Sequence, residues 1–155
     1  MGHGDQWPKI LKKIMTSDIL IFATPIWWGG HSSLMQQALE RLDELNDEMI
    51  ETGTSTLLNK AGGMVITGAE DGAQHVIGTL SNFMIWNGLT LTPESSLSYL
   101  GSFKAKTAHG LKKEFLKNKS VRGMAKTMSR NIVHVVKLLK ANPLPDQEKN
   151  SQSLR

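Results

Sequence analysis

The stretch that decides the fold covers residues 18–30 and reads D-I-L-I-F-A-T-P-I-W-W-G-G. After the aspartate, the run to Ala23 is continuously apolar, which is typical of a strand covered on both faces of a parallel sheet. Thr24-Pro25 should end this strand, because proline has no N–H for a sheet ladder. Ligands of open α/β sheets bind just beyond the carboxyl ends of strands. We therefore expect the tryptophans and glycines of 27–30 to receive a flat aromatic ligand.

A second strand and turn repeat this arrangement. Gly62–Thr67 is again apolar and ends in a glycine-rich turn, Gly68–Gly72, after which apolar spacing predicts a helix from about 73 to 86. A third strand is expected at Leu89–Thr92, ended by Pro93, and an irregular segment at Ser95–Phe103. Strand–loop–helix units at this spacing predict an α/β fold with a parallel sheet.

The remaining helices are expected on both sides of these strands. The first begins at Trp7-Pro8, with Asp5 as a possible N-cap. The second begins at the S-x-x-Q pattern from Ser33 to Gln36 and runs to about Met49 with an acidic outer face. A short basic helix and a long last helix follow. The expected buried stripe of the last helix consists of Val121, Met124, Met128, Ile132, Val135 and Leu139.

Composition excludes several classes of function. The 155 residues include no cysteine, so disulfides, thiolate metal sites, iron–sulfur clusters and thiol catalysis are excluded within the chain. No apolar run approaches the roughly 18–20 residues that span a bilayer, and the amino terminus has no basic segment followed by an apolar one. We therefore expect a cytoplasmic protein without a membrane partner.

The charge is distributed unevenly along the chain. Residues 1–102 carry 5 Lys/Arg against 11 Asp/Glu, whereas residues 103–155 carry 13 against 3. Such a basic half can attract nucleic acid. The alternative is that the cations form the solvated faces of two amphipathic helices that face an acidic helix elsewhere. We favour this alternative, and a nucleic-acid binder is the least favoured function.

The two strand-to-helix loops, 24–31 and 67–72, are the strongest candidates for a site. Glycine lets backbone N–H groups approach a ligand, and an indole can cover one face of a ring. The residues alone leave it open whether Trp27 and Trp28 instead fill a core or a dimer interface. For His31 and His75 we favour capping or packing over catalysis. Ser32 and Ser33 lack a nucleophile-elbow context, and the histidines lack a metal-ligand spacing.

Four segments resemble the flavodoxin-like NAD(P)H-dependent FMN oxidoreductase family between Gly4 and about Gly101. They are G-D-Q-W-P at 4–8, D-I-L-I-F-A-T-P-I-W-W-G at 18–29, S-S-L-M-Q-Q-A-L-E-R-L-D at 32–43 and T-G-A-E-D-G-A-Q-H at 67–75. The resemblance implies a flavodoxin-like sheet over residues 1–142, followed by a polar, disordered tail over 143–155. It also implies that two loops flank the FMN ring. One side is formed by Thr24, Pro25, Ile26, Trp27, Trp28 and Gly29, and the other by Gly68, Ala69, Glu70, Asp71 and Gly72.

The resemblance implies an enzyme whose chemistry belongs to its cofactor. Hydride would pass from NAD(P)H to FMN and on to a quinone, a flavin or another small-molecule acceptor, with no catalytic side chain and no metal. A homo-oligomer, most simply a dimer, is expected. The alternative is a non-enzymatic electron carrier, or a degenerate interaction subunit that does not bind FMN alone.

The sequence departs from the family pattern at its start. The family's first strand, phosphate loop, first helix and second strand would precede Gly4, so strands 3, 4 and 5 are retained. In the family's strand order 2-1-3-4-5, strand 3 is the strand at Ile19–Ala23 of this chain, and its neighbour would be the missing strand 1. One edge of the Ile19–Ala23 strand is therefore left unpaired, next to the FMN position. Three consequences stay open: the chain is a fragment, a partner completes the sheet, or cofactor binding is lost.

Overall fold

The computed structural model describes residues 4–68, 71–101 and 108–145. The elements along these ranges are α1 (Trp7–Thr16), β1 (Ile19–Trp27), β2 (Gly30–His31), α2 (Ser33–Leu42), α3 (Glu44–Thr52), β3 (Ala61–Gly68), α4 (Ala73–Trp86), β4 (Thr90–Leu100), α5 (Ala108–Lys117) and α6 (Lys119–Ala141).

The strands form one sheet in the order β2-β1-β3-β4. β1, β3 and β4 are parallel, and β2 is a short antiparallel strand that turns back on the end of β1. The register places Ile19 opposite Ala61 and Pro25 opposite Thr67. Helices flank the sheet, so the predicted α/β fold with a parallel sheet is confirmed.

β1 continues through Pro25, so the expectation that Thr24-Pro25 ends the strand is wrong. The carbonyl of Asp18 accepts the N–H of Ala61 at 3.0 Å, so it faces β3. Because backbone polar groups alternate from side to side along a strand, Leu20, Phe22 and Thr24 face β3 as well. Pro25 belongs to the alternate set that faces away from β3. Its missing N–H therefore removes no hydrogen bond from the β1–β3 ladder.

β4 likewise passes its proline. Gly62 lies opposite Leu91, but Met64 lies opposite Ser96, so Thr92–Ser95 form a bulge opposite Gly63. Within this bulge Glu94 has a φ of 56°. We expected the strand to stop at Pro93 and an irregular segment to begin at Ser95. This is wrong, because the strand continues to Leu100. Bulges absorb extra residues without ending the pairing. The last two residues of that predicted segment, 102 and 103, lie outside the described ranges.

The predicted helix up to Met49 is divided at Asp43. Its N–H is shared between the carbonyls of Leu39 and Glu40, at 3.1 and 3.3 Å, and α3 begins at the next residue. The expectation of a single helix is therefore wrong. The backbone of Asp43 stays in the helical region, so the chain changes direction little and both Leu42 and Leu45 remain buried.

Two apolar cores lie on opposite faces of the sheet. On one face α1, α2 and α4 pack around Leu20, Phe22 and Ile66. On the other face α6 packs against β4 through Met128 and Ile132. The predicted α6 stripe is confirmed at its buried positions Val121, Met128, Ile132 and Leu139, whereas Val136 is buried where Val135 was expected and Met124 is half-buried.

The first strand is covered on one face only. Leu20, Phe22 and Thr24 are buried, whereas Ile21 is 45% exposed and Ala23 is exposed. The expectation that both faces are covered is wrong, because α6 lies over β3 and β4 and leaves this part of β1 open. The acidic helices α2 and α3 belong to the opposite core, so the basic α6 does not face them as expected.

A charged cluster attaches α1 to α2. The guanidinium of Arg41 donates to both carboxylate oxygens of Asp5 and lies 5.0 Å from the ring centre of Trp7. The hydrogen bond from Arg41, with a second from the Trp7 N–H, lowers the pKa of Asp5 to about 2. Asp5 thus binds the first N–H of α1, although Gln6 occupies the N-cap position.

None of the helices in the described ranges is long and apolar enough to cross a membrane.

Candidate functional site

The carboxyl end of β1 turns into β2 through a two-residue hairpin. Trp27 lies opposite Gly30, and Trp28 and Gly29 form the turn with φ values of 50° and 75°. Two positive φ values are typical of the type I′ turn, which favours Asn-Gly. A tryptophan in the left-handed region is uncommon, and such backbone strain is concentrated at functional sites.

Both indoles of this hairpin lie at the surface. Trp28 is fully exposed and Trp27 is 65% exposed. The alternative that these tryptophans fill the core is therefore wrong. An aromatic pair held in solvent by a strained turn can receive a flat ligand or cover a partner surface.

Thr24 holds the base of the hairpin from the inside. Its buried hydroxyl accepts the backbone N–H of Ser32 at 3.0 Å. Ser32 in turn accepts the N–H of Met35 at 3.2 Å as the N-cap of α2. The predicted capping pattern from Ser33 to Gln36 is therefore wrong by one position. Thr24 positions the loop and the helix rather than offering a free polar group.

His31 directs its hydrogen bonding to α2. Its Nε2 lies 2.7 Å from Oε1 of Gln36, whose amide donates to Glu40 at 2.8 Å. Since Oε1 is an acceptor, Nε2 carries the proton in this arrangement. The buried Nδ1 has no hydrogen-bond partner among the described residues. This arrangement supports the packing role expected for His31.

The second loop begins where β3 ends at Gly68 and leads into α4. Gly72 is the N-cap of α4, with a φ of 123°, and its N–H donates to Oδ1 of Asp71 at 2.7 Å. Asp71 is exposed, as is His75 in the first turn of α4. Residues 69 and 70, which were expected to line the site, lie outside the described ranges.

The two loops meet at their glycines. A Cβ placed on Gly72 would lie 2.7 Å from Cα and 2.8 Å from the carbonyl oxygen of Gly29. A Cβ on Gly68 would lie 2.9 Å from Cδ1 of Ile26. Only glycine permits this approach at Gly72. The structure therefore brings the hairpin and the second loop into direct contact at the carboxyl edge of the sheet.

β4 reaches the same edge, which the sequence did not reveal. Tyr99 lies opposite Thr67, and the N–H of Gly101 donates to the carbonyl of Gly68 at 2.9 Å. The ring of Tyr99 packs against Phe115 of α5 with centroids 5.1 Å apart. The alternation of polar and apolar residues in S-L-S-Y at 96–99 is typical of a strand and could have predicted this one. It was passed over because Pro93 was expected to end the strand.

The site suits the ring of a flavin better than its phosphate. Glycine backbone and exposed indoles provide a surface for a flat ring, and the N-terminus of α4 carries partial positive charge. Residues 24–32 and the described residues of 67–75 contain neither Lys nor Arg. The residues present therefore fit an isoalloxazine ring, while the described part of these loops offers no cationic side chain to a phosphate.

Comparisons with known proteins point to flavin chemistry. A model of the family described as NADPH-dependent FMN reductase matches residues 1–101. The chain is 33% identical over 157 aligned positions to the 8-demethyl-8-aminoriboflavin-5'-phosphate synthase of Streptomyces davaonensis, covering 97% of this chain and 59% of that protein. It is also 28% identical over 148 positions to the divalent metal cation transporter MntH of Mycobacterium bovis, covering 90% of this chain and 21% of that protein.

A solved structure agrees with the sequence comparison. The crystal structure of RosB with the bound intermediate 8-demethyl-8-formylriboflavin-5'-phosphate superposes with a TM-score of 0.75 at 30% identity, covering 92% of this chain and 56% of that one. The likeness confirms the predicted flavodoxin-like fold. The chain spans about three fifths of one curated relative and one fifth of the other.

Proposed function

The chain belongs to the NADPH-dependent FMN reductase family, and from this premise we propose that it is a flavin-dependent oxidoreductase. It binds FMN at the surface formed by the Trp27–Gly29 hairpin and the Gly68–Gly72 loop. Electrons pass from NAD(P)H through the flavin to a small-molecule acceptor. The observation that supports this most directly is the close packing of Gly72 on Gly29, in the hairpin that carries the two exposed indoles.

Each group of residues has a separate task in this proposal. Trp27 and Trp28 cover one face of the ring and shield it from water. Gly72 lets the second loop pack against Gly29, and Thr24 fixes the hairpin that carries the indoles. The N-terminus of α4 stabilises negative charge on the ligand.

The chain's own residues orient and shield the reactants. Bound FMN supplies the hydride and electron chemistry. This proposal assigns the role of general acid or nucleophile to none of the described side chains of the two loops. The choice between NADH and NADPH stays open, and NAD(P)H is proposed as the co-substrate on the strength of the family alone.

The test measures binding and turnover separately. FMN fluorescence is titrated with the purified chain, and NADPH consumption is then followed with FMN and a soluble quinone. We expect saturable FMN binding and NADPH oxidation that requires both the chain and FMN. If FMN fluorescence stays unchanged when the chain is present at millimolar concentration, the proposal is contradicted.

A second candidate function makes the flavin the substrate rather than the resident cofactor. It is favoured by the Streptomyces relative, which is similar over nearly all of this chain and whose name describes synthesis of a modified flavin phosphate. Mass spectrometry of the flavin after incubation distinguishes the two. A reductase returns FMN of unchanged mass after reoxidation, whereas a flavin-modifying enzyme returns a flavin of altered mass.

A further inference from the structure

The outer face of α6 is cationic along its length. Residues 119–141 contain six Lys/Arg, all of them exposed, and neither Asp nor Glu. Lys140, near the end of the helix, pairs with Asp18, with Nζ 2.6 Å from Oδ2. The other five follow one another at spacings of three, four, four and seven residues, so they form one row on one side of the helix. We call this set the α6 row: Lys119, Arg122, Lys126, Arg130 and Lys137.

The α6 row points away from the sheet. The opposite side of α6 is held in the core by buried residues, among them Met128 and Ile132. From Lys119 to Lys137 the row is about 27 Å long, because a helix rises about 1.5 Å per residue. No side chain of the row forms an ion pair with a carboxylate of the described residues. The row is therefore free to meet an anionic partner.

The acidic helices of the chain do not neutralise this row. α2 and α3 pack into the core on the opposite face of the sheet, whereas α6 belongs to the other core. We disfavoured a nucleic-acid ligand because the basic helices were expected to face an acidic helix. The structure removes that reason.

A groove at the start of α6 brings three of these cations together. It is open to solvent, has a volume of about 500 Å³, and is lined by Lys119, Arg122 and Lys126 with the small residues Gly123 and Ala125 between them. Small side chains let an anionic group approach the helix surface between the cations. Among the described residues, the groove has neither an acidic nor an aromatic lining residue.

A nucleic-acid duplex suits this surface better than a single strand or a membrane. DNA carries one negative charge per about 1.7 Å of its axis, so a row of about 27 Å spans about 16 of them. Single strands are bound with the help of aromatic side chains on which bases stack, and the row contains none. A helix on a membrane surface inserts its apolar face, whereas the apolar face of α6 is buried in the core.

We propose that the α6 row binds double-stranded DNA through the sugar–phosphate backbone, without reading its sequence. Contacts to phosphates fix a protein on the duplex but carry no sequence information. The row includes no residue of the two loops that form the flavin site. This proposal therefore goes beyond the proposed function and does not depend on flavin binding.

The test measures the fluorescence anisotropy of a labelled 20-base-pair DNA duplex titrated with the full chain. We expect saturable binding whose logarithm falls with the logarithm of salt concentration at a slope of about −4 to −5, since each neutralised phosphate contributes about −0.9. Between 50 and 200 mM salt the affinity should fall on the order of 10²–10³-fold. Addition of FMN should leave DNA binding unchanged.

A triple variant tests the row itself. K126Q/R130Q/K137Q removes three of its five charges, and glutamine has nearly the helix propensity of lysine and arginine. DNA binding at 100 mM salt should weaken at least tenfold, and the salt slope should become shallower by about 3. The charge-retaining variant K126R/R130K/K137R should bind DNA as the unchanged chain does, and circular dichroism of both variants checks that they are folded.

The matched control removes three charges from the other side of the sheet. Lys9, Lys12 and Lys13 are exposed on α1, which packs in the opposite core. K9Q/K12Q/K13Q changes the net charge by the same amount as the α6 variant. It should bind DNA within twofold of the unchanged chain and keep its salt slope.

Several results would overturn the proposal. They are the absence of saturable binding at 50 mM salt, a salt slope near zero, and equal weakening by the α1 and α6 triple variants, which would make net charge the cause. Tighter binding of a single strand of the same length would contradict a duplex ligand. Binding to phosphatidylserine vesicles without binding to DNA would assign the row to a membrane surface instead.

Discussion

Trp28 combines two properties that rarely occur together, a left-handed backbone and a fully exposed aromatic side chain. The backbone costs about 1 kcal/mol or more relative to a residue suited to this region. Because the indole is exposed, its burial in the isolated chain offsets little of this backbone cost. We infer that the indole is kept for contact with a ligand, at a cost in stability.

The variant W28N tests this inference. It creates the Asn-Gly pair that a type I′ turn favours, so we expect the free energy of unfolding to rise by about 1 kcal/mol in urea. FMN affinity should fall at least tenfold at the same time. W86Q is the matched control, because Trp86 is also largely exposed but lies at the far end of α4. If W28N and W86Q bind FMN equally, the indole of Trp28 does not contact the ring.

Asp5 controls the acid stability of the contact between α1 and α2. Hydrogen bonds from Arg41 and the Trp7 N–H lower its pKa from 3.8 to about 2. A carboxyl whose pKa is lowered by folding stabilises the fold above its unfolded pKa and loses this contribution as the pH falls through its folded pKa. The stabilisation should therefore be complete above about pH 4 and disappear towards pH 2.

D5N removes this titration. In urea unfolding from pH 5 to pH 2, the variant should be less stable than the unchanged chain at pH 5, and the difference should shrink as the pH falls. A constant difference across the range would show that Asp5 does not titrate through its contact with Arg41.

At the scale of elements, α4 offers a matched pair of glycines. Gly72 has a φ of 123°, and an added Cβ would lie 2.7 Å from Gly29, whereas Gly78 is exposed within the helix, and a Cβ added there would meet no described residue within 4 Å apart from its chain neighbours and the backbone of its own helix. G72A should lower the free energy of unfolding by at least about 1 kcal/mol and weaken FMN binding. G78A should raise it by about 0.5–1 kcal/mol and leave binding unchanged. Urea unfolding and FMN titration of both variants check this, and a tolerated G72A would mean that the two loops are not in contact.

The sequence predicted most elements but misjudged where two strands end. Apolar runs and helical spacing placed three parallel strands and α4 correctly, since these signals arise from burial. Pro25 and Pro93 misled the prediction because proline ends a strand only where its N–H would be needed. At Pro25 that side of the strand is open, and at Pro93 a bulge takes it out of the ladder. Neither condition is visible before the pairing of the strands is known.

The candidate site was predictable only in part, for a similar reason. Glycines and tryptophans marked both loops, and parallel strands bring their carboxyl ends together. The packing of Gly72 on Gly29, the burial of Thr24 and the arrival of Tyr99 depend on strand register and helix position. The assignment of the predicted loop residues to the flavin site, Ala69 and Glu70 among them, stays a prediction, as do the homo-oligomer and the disordered tail over 143–155.

For the molecule as a whole, the open edge of β1 predicts an uneven stability. β3 lies between two long strands and is buried along most of its length, whereas among the described residues β1 is paired on its outer side only at Ile26 and Trp27 and has one exposed face. Amides of Met64 and Ile66 should therefore exchange at rates that approach global unfolding, and those of Ile21 and Ala23 much faster. NMR-detected hydrogen exchange of the free chain checks this. Equal protection of β1 and β3 would mean that the outer edge is already covered in solution.

NMR of the four tryptophan indoles tests whether the hairpin and the second loop together hold a flavin ring. Trp27 and Trp28 lie in the proposed site, whereas Trp7 begins α1 and packs against Arg41 of α2, and Trp86 ends α4. On titration with FMN, we expect saturating shifts for the Trp27 and Trp28 indoles and for the Gly29 and Gly72 amides, with Trp7 and Trp86 unchanged. Shifts confined to Trp86, or no shifts at millimolar FMN, would contradict it.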